Sequence, residues 1–490
     1  MIERPVRAAG KAMLWQSFQL GGVKAIYMIR LLVLAALLTP ADFGLVAIAT
    51  AATGFLMNLT NFGLIPALVQ AKDLDEVRYD SVWTFDFSRS LLIASLTIGF
   101  APLIASIFAE PLAIPIIRAL ALRPLFESMI SIKVATLNRN LMFRPLAYLR
   151  IVEAIVNTII SITLAKFVGV WALVFGSLGG AISMVVASYI LAPHRPHISF
   201  DWKSIRPLMN FGGWILVIGL LTMASNYGLR IVISRQLGAE ALGLYFIAAQ
   251  LAFLPSELAS EMVGTVAFPL FARLHHDIAQ ATRVFRALFS GLAAVIYPIS
   301  MLIIVFAPTL TNDILGPEWA GTEMLIRVLS VVVMIGIFGE VAVSVFKGFG
   351  QPYRVAFLEV FQSSITLILV WVLTSRFGLV GSALAWLPAI LLSQILSARF
   401  LREILDHPLK GLHMPLLAIL TGAGLCVLVA TFVSDLIPGL IGLIIATALG
   451  GASTLAFLWA TDRRFKLGFA HNIALVFPQF ADFLGFSSIE

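Results

Sequence analysis

Long apolar blocks of about 20 to 27 residues follow one another along this chain, and each is long enough to cross a hydrocarbon layer of about 30 Å as a helix. Of the 490 residues, 60% are hydrophobic and 12% are charged, and the mean hydropathy is +0.98. One water-soluble core does not bury that much apolar surface. Barrel strands would show short alternating segments instead. The sequence therefore predicts an all-α polytopic membrane protein.

We predict about fourteen transmembrane helices from the positions of these blocks. The expected spans are residues 13–38, 43–70, 82–108, 112–136, 146–166, 170–192, 211–236, 242–269, 284–307, 322–346, 353–375, 378–400, 412–433 and 437–460.

The basic residues predict the orientation, because Lys and Arg accumulate in cytoplasmic connectors. We count 22 in one alternating set of connectors and three in the other, namely Lys166, Arg235 and Arg376. Both termini are then expected to be cytoplasmic. The net charge of +7 follows from this bias, so it does not indicate nucleic-acid binding.

Three weak internal matches at nearly constant separation predict a repeat. PADFGLVAIA at 40–49 matches AEALGLYFIA at 239–248, FAPL at 100–103 matches FAPT at 306–309, and KFVGVWALV at 166–174 matches RFGLVGSALA at 376–385. We expect two parallel six-helix lobes, because each copy has an even number of spans. The expected division is an N-lobe at 1–200, a C-lobe at 201–408, two appended helices at 409–462 and a cytoplasmic tail at 463–490. Two such lobes would enclose a cleft, as in an alternating-access transporter.

Several stretches resemble a known family. They are LTPADFGLVAIATAATGFLMNLTNFGLIPALVQ, LGAEALGLYFIA, FPLFARL and LGPEW. Together with the layout of six, six and two helices, they are similar to the polysaccharide-transport branch of the multidrug/oligosaccharidyl-lipid/polysaccharide (MOP) exporter superfamily. That branch includes the flippases of O-antigen and exopolysaccharide repeat units.

The resemblance implies a function in the bacterial inner membrane. Such proteins are taken to move undecaprenyl-pyrophosphate-linked oligosaccharide between leaflets, without a cofactor, beside the polymerase and glycosyltransferases of the same pathway. A drug/cation antiporter of the superfamily and a lipid II flippase remain as alternatives. A membrane enzyme is disfavoured, because the longest expected outer connector, 308–321, is too short for an active site. The sequence also has no nucleotide-binding GxxxxGK[ST] motif and no metal-site pattern.

Two arginines lie inside expected spans and are the main candidates for substrate binding. Gln19, Tyr27 and Arg30 share one face of the first helix within roughly 80°, with Lys24 about 60° beyond its edge. In the seventh span, Asn226 shares a stripe with Arg230, which lies 200 residues after Arg30. Intramembrane cations usually face a polar interior, and Arg can bind phosphate in bidentate fashion. We expect both arginines on the cleft walls, where they would bind pyrophosphate; the alternative is that they pair with acids or brace the lobes.

The remaining charged candidates are less specific. Lys24 either faces the cleft or extends its amine to the membrane surface, and Arg118 of the fourth span is a further cleft candidate. Arg123 is expected to pair with Glu127, four residues on, and Pro124 is expected to kink that helix.

Acids are the candidates for ion coupling. Glu257 and Glu261 lie one turn apart in the eighth span, where two buried carboxylates would be suited to carrying a proton or sodium ion; the alternative is a fixed salt bridge. Asp86 and Arg89 are expected to form a local ion pair. His194 and His197, in a connector, are expected to be solvated rather than to bind metal.

Overall fold

The computed structural model describes residues 21–60, 76–140, 142–201, 213–437 and 439–465. Within these ranges the chain forms helices and connecting turns, with no β-strand. It divides into two compact units, Met1–Leu244 and Tyr245–Glu490.

Within the described ranges the first unit contains eight helices and the beginning of a ninth. They are α1 (21–35), α2 (Pro40–Leu59), α3 (Glu76–Phe108), α4 (Ala113–Leu120), α5 (Leu122–Ser128), α6 (Val134–Arg139), α7 (Phe143–Val168), α8 (Trp171–Leu191) and α9 (Gly213–Leu274).

The described part of the second unit takes the rest of α9 and six further helices. They are α10 (Ile278–Val305), α11 (Glu323–Gly348), α12 (Pro352–Leu384), α13 (Trp386–Arg402), α14 (His413–Leu436) and α15 (Leu440–Phe465). A π-helical turn (Thr309–Leu315) and a 3₁₀ helix (Pro317–Thr322) join α10 to α11.

Ten helices within the described ranges are long and apolar enough to cross a membrane. The all-α, multi-span class predicted from the apolar blocks is therefore confirmed. The count of fourteen spans, the division into two six-helix lobes and the cytoplasmic termini stay predictions.

The fourth expected span, 112–136, is not one helix but the three short helices α4, α5 and α6. The break between α4 and α5 lies at Ala121. Pro124 explains it, because proline has no N–H to donate to the carbonyl four residues earlier and its ring clashes there. The kink predicted at Pro124 is confirmed.

Two glycines with positive φ lie at or near the ends of expected spans and interrupt otherwise continuous helices. Gly238 (φ 84°) lies within α9 between the seventh and eighth expected spans, and Gly378 (φ 59°) lies within α12 at the first residue of the twelfth. Such a backbone favours glycine, because a Cβ would be strained there. Gly169 (φ 56°) makes the same kind of turn between α7 and α8.

The turn before α2 shows how the sequence begins a helix. Thr39 and Asp42 form a capping box: the Thr39 hydroxyl accepts from Asp42 N, and the Asp42 carboxylate accepts from Thr39 N at 3.0 Å. Pro40 occupies the first helical turn, where its missing N–H costs nothing. Because of this cap, α2 begins three residues before the expected start of the second span, at 43.

The turns at 40–44 and 239–243 meet in a reciprocal contact. A Cβ on Gly44 would overlap the carbonyl group of Ala239, and a Cβ on Gly243 would overlap the carbonyl group of Pro40. Each glycine and each carbonyl lies 199 residues from its counterpart. The same contact is therefore made twice, with the roles of the two turns exchanged.

Aromatic side chains of α10 and α11 pack together in the core of the second unit. Phe285 and Phe289 of α10 both pack edge-on against Phe338 of α11, with ring centroids 5.7 and 5.6 Å apart. The last two helices add to α10: Cys426 of α14 and Ala446 of α15 pack with Leu302 and Phe306.

Candidate functional site

A largely buried polar network joins α1, α5 and α7 of the first unit and is centred on Glu153 of α7. We call it the Glu153 network, and its members are Tyr27, Arg30, Arg123, Glu127, Glu153 and Asn157. Four of these six residues carry a charge, which is costly in a membrane interior unless the charges are paired or hydrated.

Both carboxylate oxygens of Glu153 face a polar group, and one of them accepts a hydrogen bond within the described part of the chain. The Tyr27 hydroxyl donates to one oxygen at 2.8 Å, and the Arg123 guanidinium lies 3.6 Å from the other. The residue as a whole is only 5% exposed. A carboxylate buried to this extent requires such partners, so these contacts are structural necessities as well as candidates for function.

Close packing of α7 and α8 buries this part of the network. A Cβ on Gly176 would overlap the hydroxyl of Ser161, and one on Gly180 would lie 3.0 Å from the Asn157 side chain. Small residues at helix interfaces let helix backbones approach closely. The sequence GSLGG at 176–180 thus places α8 directly against the polar face of α7.

Arg123 holds both acids of the network. Its Nε lies 2.8 Å from Glu127, one turn later on α5, and another nitrogen donates to the Ser177 hydroxyl at 2.9 Å. The pairing of Arg123 with Glu127 predicted from their spacing is confirmed. Both side chains are more than a third exposed, so this pair forms the accessible edge of the network.

Arg30 has different partners. Its guanidinium donates to the Asn157 side-chain oxygen and lies 5.1 Å from the centre of the Tyr27 ring. Neither an amide nor an aromatic ring cancels the charge of an arginine, although the ring attracts it. Its Nε is buried without a hydrogen-bond partner in the described part of the chain.

Arg230 is placed differently from its counterpart. It donates to the backbone carbonyl of Ala47 in α2 at 3.3 Å and lies 6.0 Å from the ring of Tyr227. Tyr227 also packs edge-on against Phe55, with centroids 5.8 Å apart. The structure therefore places Arg230 against α2 and does not bring it into the Glu153 network.

The other predicted binding residues are scattered. Lys24 is half-buried on α1, and Arg118 is exposed at the end of α4. Gln19 and the side chain of Asn226 lie outside the described residues. The expected ion pair of Asp86 and Arg89 is confirmed, with a separation of 2.7 Å.

The acids predicted for ion coupling lie on α9. Glu257 is half-buried, and the side chain of Glu261 lies outside the described residues. Close by in the second unit is a cavity of about 280 Å³ that Ser256, Glu340, Glu359, Gln362, Gln394 and Ser397 help to line. The described residues contain no cluster able to hold a metal ion.

Sequence reasoning missed three residues of these sites. Glu153 and Asn157 lie four apart and so share one face of α7, which is the signal that could have joined them. Tyr227 had a plainer signal, since YMIR at 27–30 and YGLR at 227–230 both read Tyr-x-x-Arg. Each arginine lies over the ring of its own tyrosine.

Comparison with known proteins adds family relationships. A family model described as "Polysaccharide biosynthesis protein" matches residues 33–324. The lipopolysaccharide biosynthesis protein WzxC of Escherichia coli (strain K12) is 20% identical over 320 residues, which are 64% of this chain and 64% of that protein. The succinoglycan biosynthesis transport protein ExoT of Rhizobium meliloti (strain 1021) is 22% identical over 307 residues, 62% of each chain. The aligned region spans a little under two thirds of the length of these relatives.

A solved structure, that of the lipid II flippase MurJ in an inward closed conformation, has the same fold. Its TM-score is 0.73 at 14% identity, covering 92% of this chain and 99% of that chain. The family match at 33–324 spans more than half of the 490 residues and includes Arg123, Glu153, Asn157 and Arg230. This chain belongs to the polysaccharide biosynthesis protein family.

Proposed function

We propose that this protein is a flippase that moves undecaprenyl-pyrophosphate-linked oligosaccharide repeat units across the bacterial inner membrane. The transported repeat units would be used to build a surface polysaccharide such as O-antigen, capsule or exopolysaccharide. The family membership supports a place in polysaccharide synthesis, and the multi-pass helical fold supports transport rather than enzymatic catalysis.

The observation that carries the proposal is the position of Arg30. Its guanidinium reaches from α1 to α7, where an amide oxygen and an aromatic face orient it and the Glu153 carboxylate attracts it through space. A pyrophosphate that passes through the membrane needs a cation of this kind, and the planar guanidinium suits phosphate oxygens. We assign pyrophosphate capture to Arg30 and Arg230, with Lys24, Arg118, Gln19, Tyr27 and Asn226 contributing to the polar walls.

The two-lobe arrangement is part of the same proposal. We divide the chain into an N-lobe at 1–200, a C-lobe at 201–408, two appended helices at 409–462 and a cytoplasmic tail at 463–490. The equivalent left-handed turns at Gly169 and Gly378 support it, since they lie 209 residues apart. So do the two Tyr-x-x-Arg segments, which lie 200 apart.

The reciprocal glycine contact suggests how one face closes. With the basic connectors cytoplasmic, the turns at 40–44 and 239–243 lie on the opposite side of the membrane. Their close contact then seals that side while the cleft is open to the cytoplasm. Separation of these turns, as the lobes rotate, would expose the headgroup outside.

Ion coupling is assigned to the acids of α9, Glu257 and Glu261. The polar cavity of the second unit supports this placement, because Ser256 lines it beside Glu340 and Glu359. The lipid-linked oligosaccharide is the expected partner, together with membrane lipids and the polymerase and glycosyltransferases of the pathway. No nucleic acid or cofactor is required.

Translocation in proteoliposomes tests the function. Labelled undecaprenyl-pyrophosphate oligosaccharide is placed in the inner leaflet, and its exposure is followed with a glycosidase added outside. Lipid II and a lipophilic cationic dye are run in parallel, because each represents one alternative. We expect protein-dependent exposure of the oligosaccharide lipid. Transport of lipid II or the dye alone would instead support the corresponding alternative.

A further inference from the structure

The carboxylate of Glu110, in the turn between α3 and α4, binds the turn at 239–243. Its Oε1 accepts a hydrogen bond from the amide of Ala239 at 2.7 Å. One helical turn earlier in α9, the Ser234 hydroxyl donates to the carbonyl of Phe108 at 2.7 Å. Ala239 and Ser234 are both buried. Because a buried backbone N–H needs a partner, Glu110 supplies to α9 an acceptor from another part of the chain.

The end of α3 places Glu110 where its carboxylate reaches α9. The amides of Ala109 and Glu110 donate back to the carbonyls of Ser106 and Ala105 at 3.2 and 2.9 Å, which is the hydrogen-bond pattern of a Schellman turn. Ala109 has a φ of 58°, a conformation in which such a turn usually has glycine and which is costly for a residue with a Cβ. The chain therefore keeps a strained residue directly before Glu110.

The turn at 239–243 lacks the capping side chains of its counterpart 199 residues earlier. Thr39 and Asp42 form the capping box at the start of α2. The positions 199 residues later are Gly238 and Ala241, neither of which has a polar side chain. The part of α9 that follows Gly238 therefore cannot form the capping box with which α2 begins.

The amide that Glu110 binds also has no counterpart in the first turn. Ala239 corresponds to Pro40, and proline has no N–H. A carboxylate at the start of a helix is favoured further by the helix dipole. The first turn thus carries its own cap, whereas the second turn receives a cap from Glu110.

We propose that Glu110 is a positioning residue, which caps the turn at 239–243 and thereby holds it against the turn at 40–44. The inference rests on the two-lobe arrangement proposed above, in which Glu110 and the turn at 40–44 belong to the N-lobe and the turn at 239–243 belongs to the C-lobe. A cap that crosses from one lobe to the other is made only while the two turns touch. It therefore stabilises the closed form of this side of the protein over the open form.

The size of this effect follows from the cap itself. Removal of a side-chain cap changes an equilibrium by about two- to thirtyfold. The capping box of Thr39 and Asp42 lies within one turn and is present in both forms, so it does not affect the balance between them. The cap from Glu110 is lost on opening, so its whole effect falls on that balance.

Hydrogen exchange of the full-length protein in nanodiscs, without substrate, tests the inference. Exchange rates are measured for peptides covering 38–46 and 237–245 in the parent and in Glu110→Ala. We expect both peptides to exchange about tenfold faster in the variant, because separation of the turns uncovers both of them. No substrate is present, so the result does not depend on which lipid the protein transports.

Two further variants serve as controls. Asp277 caps α10 locally, since its side chain accepts from the amide of Gln280 at 2.8 Å. Asp277→Ala should therefore speed exchange at the start of α10 and leave both turns unchanged. Glu110→Gln keeps an oxygen that can accept from the Ala239 amide, so both turns should exchange within about threefold of the parent.

Three results would overturn the inference. Faster exchange of 237–245 alone in Glu110→Ala would mean that Glu110 caps α9 without holding the turns together, and unchanged exchange at both turns would mean that the cap contributes nothing. Faster exchange throughout the molecule would mean that Glu110 stabilises the whole fold rather than the closed form. Exchange of Glu110→Gln as fast as that of Glu110→Ala would show that the hydrogen bond to Ala239 is not the cause.

Discussion

Residues 27–49 and 227–248 share one sequence pattern in two different surroundings. Each begins with Tyr-x-x-Arg and continues to a turn that contains a glycine. At the glycine the two segments meet, and each makes the contact that the other makes. At the Tyr-x-x-Arg end they differ, because Tyr27 and Arg30 join the Glu153 network whereas Arg230 binds a backbone carbonyl of α2.

The two segments are alike where their turns contact each other and unlike at the arginines, which contact different helices. At the turns the two segments pack against each other, and each needs a glycine there because a larger side chain would overlap the other turn. At the arginines each segment packs against a different helix, so Arg30 and Arg230 have different partners. The variants below test whether the segments are alike at the turns and unlike at the arginines.

The largest effect is expected from removing the acid that only the first segment contacts. Glu153→Ala leaves the Tyr27 hydroxyl without its buried acceptor and removes the carboxylate that pairs with Arg123, so the free energy of unfolding should fall by about 3 kcal/mol. Reversible unfolding in mixed micelles measures it. Glu323→Ala, which breaks an exposed pair with Arg327, should cost no more than about 0.5 kcal/mol. Equal losses would mean that the Glu153 network does not stabilise the fold.

At the turns the two segments should respond alike. Gly44→Val and Gly243→Val each place a side chain against a backbone carbonyl, and each should lower the free energy of unfolding by about 2 kcal/mol. Gly99→Val is the matched control, because the site of its Cβ has no neighbour within 4 Å. A large effect at one turn and none at the other would show that the contact is not reciprocal in solution.

The smallest difference is expected between the two tyrosines. Tyr27→Phe removes a hydrogen bond to a carboxylate, which should cost about 2 kcal/mol, whereas Tyr227→Phe keeps the ring that packs against Phe55 and should cost about 1 kcal/mol or less. The same unfolding assay compares them. If Tyr227→Phe proved the more damaging, the ranking of the two surroundings would be reversed.

Much of the fold was predictable because hydrophobicity and charge set the helices directly. The all-α membrane class followed from the length of the apolar blocks. The helix breaks next to Pro124 and at Gly238 follow from the backbone properties of proline and glycine. Local pairs were equally readable: Arg123 with Glu127 and Asp86 with Arg89 are one helical turn apart.

The contacts of α1 with the Glu153 network were not predictable, because they join residues more than 120 positions apart. Periodicity gave the polar face of α1 but not the helix that the face meets. The burial of His194 was missed for the same reason, since its partner Asp80 lies 114 positions earlier in the chain.

We propose that Arg30 and Arg230 capture the pyrophosphate, and binding of undecaprenyl pyrophosphate to the purified protein tests this. The dissociation constant is measured in detergent for the parent, Arg30→Ala, Arg230→Ala and the control Arg327→Ala. We predict that each of the first two variants binds about tenfold or more weakly, as loss of a charge-assisted contact of about 1.5–3 kcal/mol requires, and that the control binds like the parent. Unchanged binding by Arg30→Ala, with the fold intact, would mean that Arg30 does not capture the pyrophosphate.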